Sequence, residues 1–204
     1  MKILIVDDHV VVREGVRRLL STMSEVILFE ASSTRDGLAL FKSERPDLVL
    51  LDLSLSNSSG LELLRRLLLE DRDARILFLS MHTEPIYVAR ALEAGARGFV
   101  SKTASPGELL AAVQEVAGGG RYVERELAAQ LVTSRYGRTD PLQKLTTREL
   151  DIARLLAEGQ SFSTIAETLG VTYKTIANAC SIIKSKLELE RTSDVVRLIH
   201  HIPG

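Results

Sequence analysis

The chain has no tryptophan, one cysteine and only 4% aromatic residues. A single thiol, Cys180, cannot close an intramolecular disulfide, and no Cys/His cluster has structural-zinc spacing, so a disulfide-framed or zinc-stapled scaffold is excluded. Charge of one sign is also missing: 26 Lys and Arg stand against 27 Asp and Glu, a formal net charge of -1. That balance excludes bulk attraction to nucleic acid or to an anionic membrane, so any such binding must be local. No apolar run approaches a membrane span, and the opening KILIV is too short for a signal peptide and runs straight into Asp7 and Asp8. Internal repeats and low-complexity tracts are absent. A reducing, cytoplasmic setting with no membrane partner is the expectation.

What the chain does have is ordinary globular composition, 45% hydrophobic and 26% charged, over 204 residues, enough for two small domains. From residue 2 to about 117, short β-rich runs alternate with amphipathic segments of helical period. The strand candidates are KILIV, EVILFEA, DLVLL, RILFLS and GFVSK. VVREGVRRLLS, TRDGLALFKS, LELLRRLLLE, PIYVARALEAG and PGELLAAVQEVA read as the helices between and after them. Five βα units predict an α/β fold, a (βα)5 doubly wound, flavodoxin-like parallel sheet of order 2-1-3-4-5. GGG at 118–120 stops the last helix; RYVERELAAQLVTSR then reads as a short helix and YGRTDPLQK as a polar connector. From about Leu145 only helical segments follow. The expected division is an α/β domain over 1–118, a linker with a short helix over 119–143, and a small four-helix all-α helix-turn-helix domain over 144–204.

In an open parallel sheet, ligands gather at the carboxyl ends of the strands. Asp7 and Asp8 follow the first strand and Asp52 the third, and these strands are neighbours in the expected order, so three carboxylates converge. Like charges that close raise one another's pKa values unless a cation neutralises them, and an all-oxygen set suits a hard divalent ion, Mg2+. Ser80 ends the fourth strand with a hydroxyl, and Lys102 ends the fifth with an ammonium. Each residue alone reads as a helix cap or a solvated strand end; their joint occurrence at four of five strand ends does not. The set suits transfer of a phosphoryl group onto Asp52, giving an acyl phosphate.

The motifs VDDH, LLDLSLSNSSG, LSMH and GFVSK resemble the receiver domain of bacterial two-component response regulators. The resemblance implies Asp52 as phosphoacceptor, Asp8 as direct Mg2+ ligand, Asp7 as a ligand through water, and the Ser54 carbonyl as a further ligand. It also implies Ser80 and Phe99 as a switch pair and Lys102 as a phosphoryl contact. Ser56 stands where relatives usually carry proline, which frees a φ angle and restores an N–H, so a more flexible loop is expected before phosphorylation. A haloacid-dehalogenase-type phosphatase is the competing reading, but it needs a second Asp two residues after the nucleophile, where this chain has Ser54. Without that general acid no turnover cycle is expected, only self-phosphorylation from a phosphodonor and slow autodephosphorylation.

In the C-terminal segment, SFSTIAETLG and VTYKTIANACSIIKSKL read as two helices joined at Gly170, with Thr172 as N-cap of the second. Lys174, Lys184 and Lys186 are placed to meet phosphates, and Asn178 and Ser181 to face base edges, Asn being suited to adenine. So few cations predict weak binding by one copy. A protein-binding helical bundle shares this spacing. The string from Leu145 to Leu187 looks like a LuxR-type DNA-binding domain, and the whole chain is similar to a NarL/FixJ-type response regulator. By position, Ala177, Asn178 and Ser181 take base-facing places, and Thr172, Tyr173, Thr175 and Lys184 backbone contacts. The family's common His is here Ala179, the Gly after KL is Glu188, and a frequent Arg is Thr192. The implied partners are a cognate sensor histidine kinase, double-stranded promoter DNA and a second copy when phosphorylated, with RNA polymerase as a further one. The alternative is an orphan regulator whose DNA or protein binding needs no phosphate. Cys180 reads as a packing residue rather than a redox sensor.

Overall fold

A computed structural model describes residues 1–55, 58–133 and 141–201. It falls into two compact units, Met1–Thr133 and Ser134–Gly204. In the first, the apolar runs become parallel strands β1 (Lys2–Val6), β2 (Ile27–Ala31), β3 (Leu48–Leu51), β4 (Ile76–Ser80) and β5 (Gly98–Ser101). The second strand starts later than the sequence suggests, because Glu25 sits in the left-handed region at φ 59 and breaks the run. Helices α1 (Val10–Leu20), α2 (Thr34–Glu44), α3 (Gly60–Glu70), α4 (Pro85–Glu93) and α5 (Pro106–Ala117) follow the strands in turn.

The order 2-1-3-4-5 holds, and the sheet then gains a sixth strand, β6 (Tyr122–Val123), parallel to β5. Behind it, α6 (Arg125–Thr133) packs on α4, so the first part of the stretch expected as linker belongs to the α/β unit. Two-residue β6 is too short to show alternation in sequence.

Every residue of LVLL in β3 is buried, as a central strand covered on both faces requires. On one face Ile3, Ile5, Leu48, Leu50, Leu77 and Leu79 pack with Val16 and Leu20 of α1 and Val113 and Val116 of α5. Each such side chain contributes on the order of 1.5–3 kcal/mol on burial. On the other face α2 and α3 close in; a Cβ at Gly37 would lie 3.2 Å from side-chain atoms of both Val6 and Leu63.

Among its described residues the second unit holds a 3-10 turn (Pro141–Lys144) and four helices, α7 (Thr147–Ala157), α8 (Phe162–Thr168), α9 (Tyr173–Leu187) and α10 (Thr192–His201). Thr146 and Glu149 form a reciprocal capping box on α7, and Ser161 and Thr172 cap α8 and α9. Gly170 takes φ +63 in the tight turn between α8 and α9, a conformation L side chains avoid. Among the described residues no helix is long and apolar enough to cross a membrane.

Candidate functional site

Strand register assembles the site. Val6 lies level with Leu51 across β1 and β3, so Asp7 and Asp52 leave the sheet side by side. Ser80 lies level with Ser101 across β4 and β5, and Lys102 follows. Asp7 and Asp52 are each only 3% exposed, and such buried carboxylates require partners. Lys102 supplies one: its Nζ lies 2.7 Å from Asp7 Oδ2 and 2.8 Å from Asp52 Oδ2.

Asp7, Asp8, His9 and Asp52 each offer a ligand atom, all within 4.8 Å of one another. Burial, only partly offset by the Lys102 ammonium, raises the Asp52 carboxyl to about 6. Burial pushes the Lys102 ammonium down, but the facing Asp52 and Asp7 outweigh it and leave its pKa above the ordinary value.

The segment after Asp52 turns back at once. Ser54 N–H donates to Asp52 Oδ1 at 3.4 Å, and Ser54–Leu55 pairs antiparallel with Ser58–Ser59. The Ser54 hydroxyl is buried without a hydrogen-bond partner among the described residues. Gly60 then starts α3 so close to Asp52 that an added Cβ would run into the Asp52 carbonyl oxygen. That is a steric reason for glycine at this position. Ser56 lies outside the described residues, and so does the expected change in loop flexibility.

The other expected residues are also placed. Ser80 is fully buried, and its Oγ accepts from His82 N–H at 3.0 Å. Phe99 is fully buried with its ring stacked on Phe78, centroids 6.0 Å apart. Sequence reasoning missed two neighbours. His9 Nδ1 lies 2.9 Å from Asp8 Oδ1 and 3.1 Å from Asp7 Oδ1; VDDH displays the residue, but nothing in the string says which way the ring turns. Glu124, just after β6, accepts the Ser101 N–H at 2.8 Å through its carboxylate and donates its own N–H to the Phe99 carbonyl at 3.2 Å. No local signal marks it.

On the second unit, α9 buries Ile176, Cys180, Ile183 and Leu187 and leaves Tyr173, Lys174, Thr175, Asn178 and Ser181 exposed. Lys174, Asn178 and Ser181 follow at i, i+4 and i+7, one outward stripe. Thr172, exposed at the N-cap, accepts from Thr175 N–H at 3.2 Å, while Ala177 and Lys184 are half-buried. Tyr173 packs its ring against Phe162 of α8, centroids 5.8 Å apart. Lys186, half-buried, bonds both Glu149 oxygens, at 2.6 and 2.9 Å, tying α9 to the first turn of α7. Burial raises the Cys180 thiol, with Lys184 opposing, as expected for a packing residue.

The sequence profile of the response regulator receiver domain matches residues 3–114, and that of the bacterial regulatory proteins of the luxR family matches residues 143–199. The chain is similar over its whole length to the methanol utilization control regulatory protein MoxX of Paracoccus denitrificans, with 39% identity and 93% of that protein covered. It is 33% identical to the response regulator UvrY of Escherichia coli strain K12, over 97% of this chain and 93% of that protein. Its fold is shared by RcsB from Salmonella enterica serovar Typhimurium, solved bound to a promoter with the phosphomimetic BeF3-. That match has a TM-score of 0.61 at 22% identity, over 98% of this chain and 97% of that one. Receiver profile, luxR-family profile and full-length relatives together show that the chain belongs to the NarL/FixJ-type two-component response regulators, transcription regulators with a receiver domain and a LuxR-type DNA-binding domain.

Proposed function

We propose that Asp52 is the phosphoacceptor and that its phosphorylation by a cognate sensor histidine kinase controls promoter binding through α9. The observation that carries this reading is the Lys102 ammonium between Asp52 and Asp7, inside a carboxylate cluster at the ends of β1 and β3. An Asp52 oxygen forms the new P–O bond as the P–N bond of the kinase's phosphohistidine breaks, and the leaving imidazole takes up a proton. Lys102 stays within reach of the group and neutralises part of its charge. Asp7, Asp8, Asp52 and the Ser54 carbonyl would hold Mg2+. The donor set fits: the oxygens are hard, and three carboxylates facing one ammonium leave two negative charges to balance. When bound, Mg2+ supplies charge neutralisation for the phosphoryl oxygens.

Ser80 and Phe99 form the switch. Once an acyl phosphate attracts the Ser80 hydroxyl, its bond from His82 N–H is lost and Phe99 moves into the space it leaves. The result is a shift between two packings rather than a continuous deformation. In this reading residues 1–118 receive the signal, 119–143 pass it on, and 144–204 bind DNA from the cytoplasm, with RNA polymerase as a further partner. Ala177, Asn178 and Ser181 face bases, and Thr172, Tyr173, Lys174, Thr175 and Lys184 face phosphates. With so few cations per copy, two copies on paired half-sites are needed for firm binding.

The test is to incubate the protein with Mg2+ and a small phosphodonor, then measure intact mass and retention of selected DNA, for wild type and Asp52→Asn. Wild type gains one acid-labile phosphate and binds DNA more tightly, and the variant does neither. An unmodified wild type overturns the phosphoacceptor assignment, and equal DNA retention with and without phosphate makes the protein an orphan regulator.

A further inference from the structure

The outward face of α9 is not uniformly polar. Among the described residues of the second unit, the large apolar side chains left exposed are Tyr173 and Ile182, and both stand on α9. Tyr173 rests its ring on Phe162 of α8. Ile182 is 49% exposed although its neighbour Ile183 is fully buried, so the helix turns one isoleucine out and the next one in. At an exposed position Lys, Glu or Gln serves a helix better, because β-branched isoleucine loses rotamer freedom against the preceding turn.

Asn178, Ser181, Ile182 and Ser185 follow at i, i+3, i+4 and i+7, one contiguous face, and all four are exposed. None of the four carries a charge. The cations lie around them: Lys174, exposed, stands one turn earlier, and Lys184 is half-buried with its ammonium 3.4 Å from the Glu190 carbonyl. A neutral centre with a cationic rim suits a helix in the major groove, where phosphates are met at the sides and base edges on the floor. A branched alkyl group offers a phosphate nothing. On the groove floor the apolar feature that a base pair presents is the thymine 5-methyl. Four residues along a helix span about 6 Å, so Ile182 lies within about two base-pair steps of the base that Asn178 faces.

We propose that Ile182 is a specificity-determining residue, which packs its side chain on the 5-methyl group of a thymine in the major groove, close to the base pair that Asn178 faces. The proposal rests on the reading of α9 as the DNA-facing helix, and adds to it a base position and the group by which that base is chosen.

Uracil pairs as thymine does but lacks the methyl group, so it isolates this contact. The full-length protein, with Mg2+ and a small phosphodonor present, selects duplexes from a random library. Fluorescence anisotropy then follows binding to the selected duplex with each thymine replaced in turn by uracil. Wild type, Ile182→Ala, Ile182→Val and Asn178→Ala are compared, with circular dichroism to confirm folding. In wild type, uracil at one thymine position weakens binding about three- to fivefold, the effect of about one buried methyl group. Ile182→Ala binds the thymine and uracil duplexes alike, Ile182→Val keeps most of the difference, and Asn178→Ala relaxes the motif at another position. The absence of any uracil-sensitive thymine in wild type overturns the proposal without recourse to a variant, and a motif that Asn178→Ala still relaxes leaves α9 as the reading helix. Sensitivity that persists in Ile182→Ala also overturns it, since the methyl group then meets another residue. A wild type that selects no motif overturns both readings.

Discussion

Asp52 sets the terms at the scale of single residues. Its carboxyl is raised from 3.8 to about 6 mainly by burial, so the folded receiver holds this proton more tightly than the unfolded chain does. The resulting stabilisation is fully present below about pH 4 and is lost as pH rises through about 6. In metal-free protein, Asp52→Asn removes the cost of holding that charge in the interior, while Asp7 still faces Lys102. We expect the variant to be more stable than wild type by about 1–3 kcal/mol at pH 8, with the gap shrinking toward pH 4. Urea unfolding in chelator, followed by amide exchange of β1 and β3, measures it, and a gap independent of pH contradicts the assignment. Much of this site is readable from the string, because the residue after a buried parallel strand must emerge at its carboxyl end, as Asp7, Asp52 and Lys102 do. The direction of the His9 ring is not, since rotamer and hydrogen bonding decide it after the fold is made.

At the scale of elements, legibility follows length. The four- and five-residue strands and the amphipathic helices announce themselves by period, and strand order follows from how parallel units wind. Tyr122–Val123 is invisible by the same reasoning: two residues cannot show alternation, and the sheet edge that pairs them is made elsewhere in the chain. The Lys186 pairing was hidden likewise, because Glu149 lies 37 positions away and the partner depends on how α7 meets α9. The unread strand has a functional consequence. Glu124 holds the Ser101 N–H beside Lys102 and donates its N–H to the Phe99 carbonyl, so the start of α6 is anchored to β5, which carries the proposed switch residue. Glu124→Ala leaves a buried N–H without its charged acceptor, a loss of about 1–3 kcal/mol locally. The expected outcome is faster hydrogen exchange at Ser101 and along α6, with phosphorylation of Asp52 retained and its effect on DNA binding weakened. Unchanged exchange at both places contradicts a coupling role for Glu124.

At the scale of the whole molecule, the charge balance limits how the protein holds DNA. Residues 143–204 carry 8 basic and 7 acidic side chains. Of the basic ones Lys186 is bound to Glu149, and Lys144 pairs with Glu188 at 2.8 Å. Glu188 itself ends α9 in the left-handed conformation at φ 59, where its relatives' glycine fits without strain. With Lys174 and Lys184 as the main cations on α9, one copy releases few counterions, and the dependence of log affinity on log salt has a slope of about -2 to -3. Two copies on paired half-sites double that to about -4 to -6. Fluorescence anisotropy over a series of salt concentrations, with labelled single and paired half-sites and with phosphorylated and unphosphorylated protein, separates the cases. The steep slope is expected only for phosphorylated protein on the paired site. A slope of about -2 to -3 there as well would mean that the second copy makes no phosphate contacts and that phosphorylation acts on DNA binding without pairing two recognition helices.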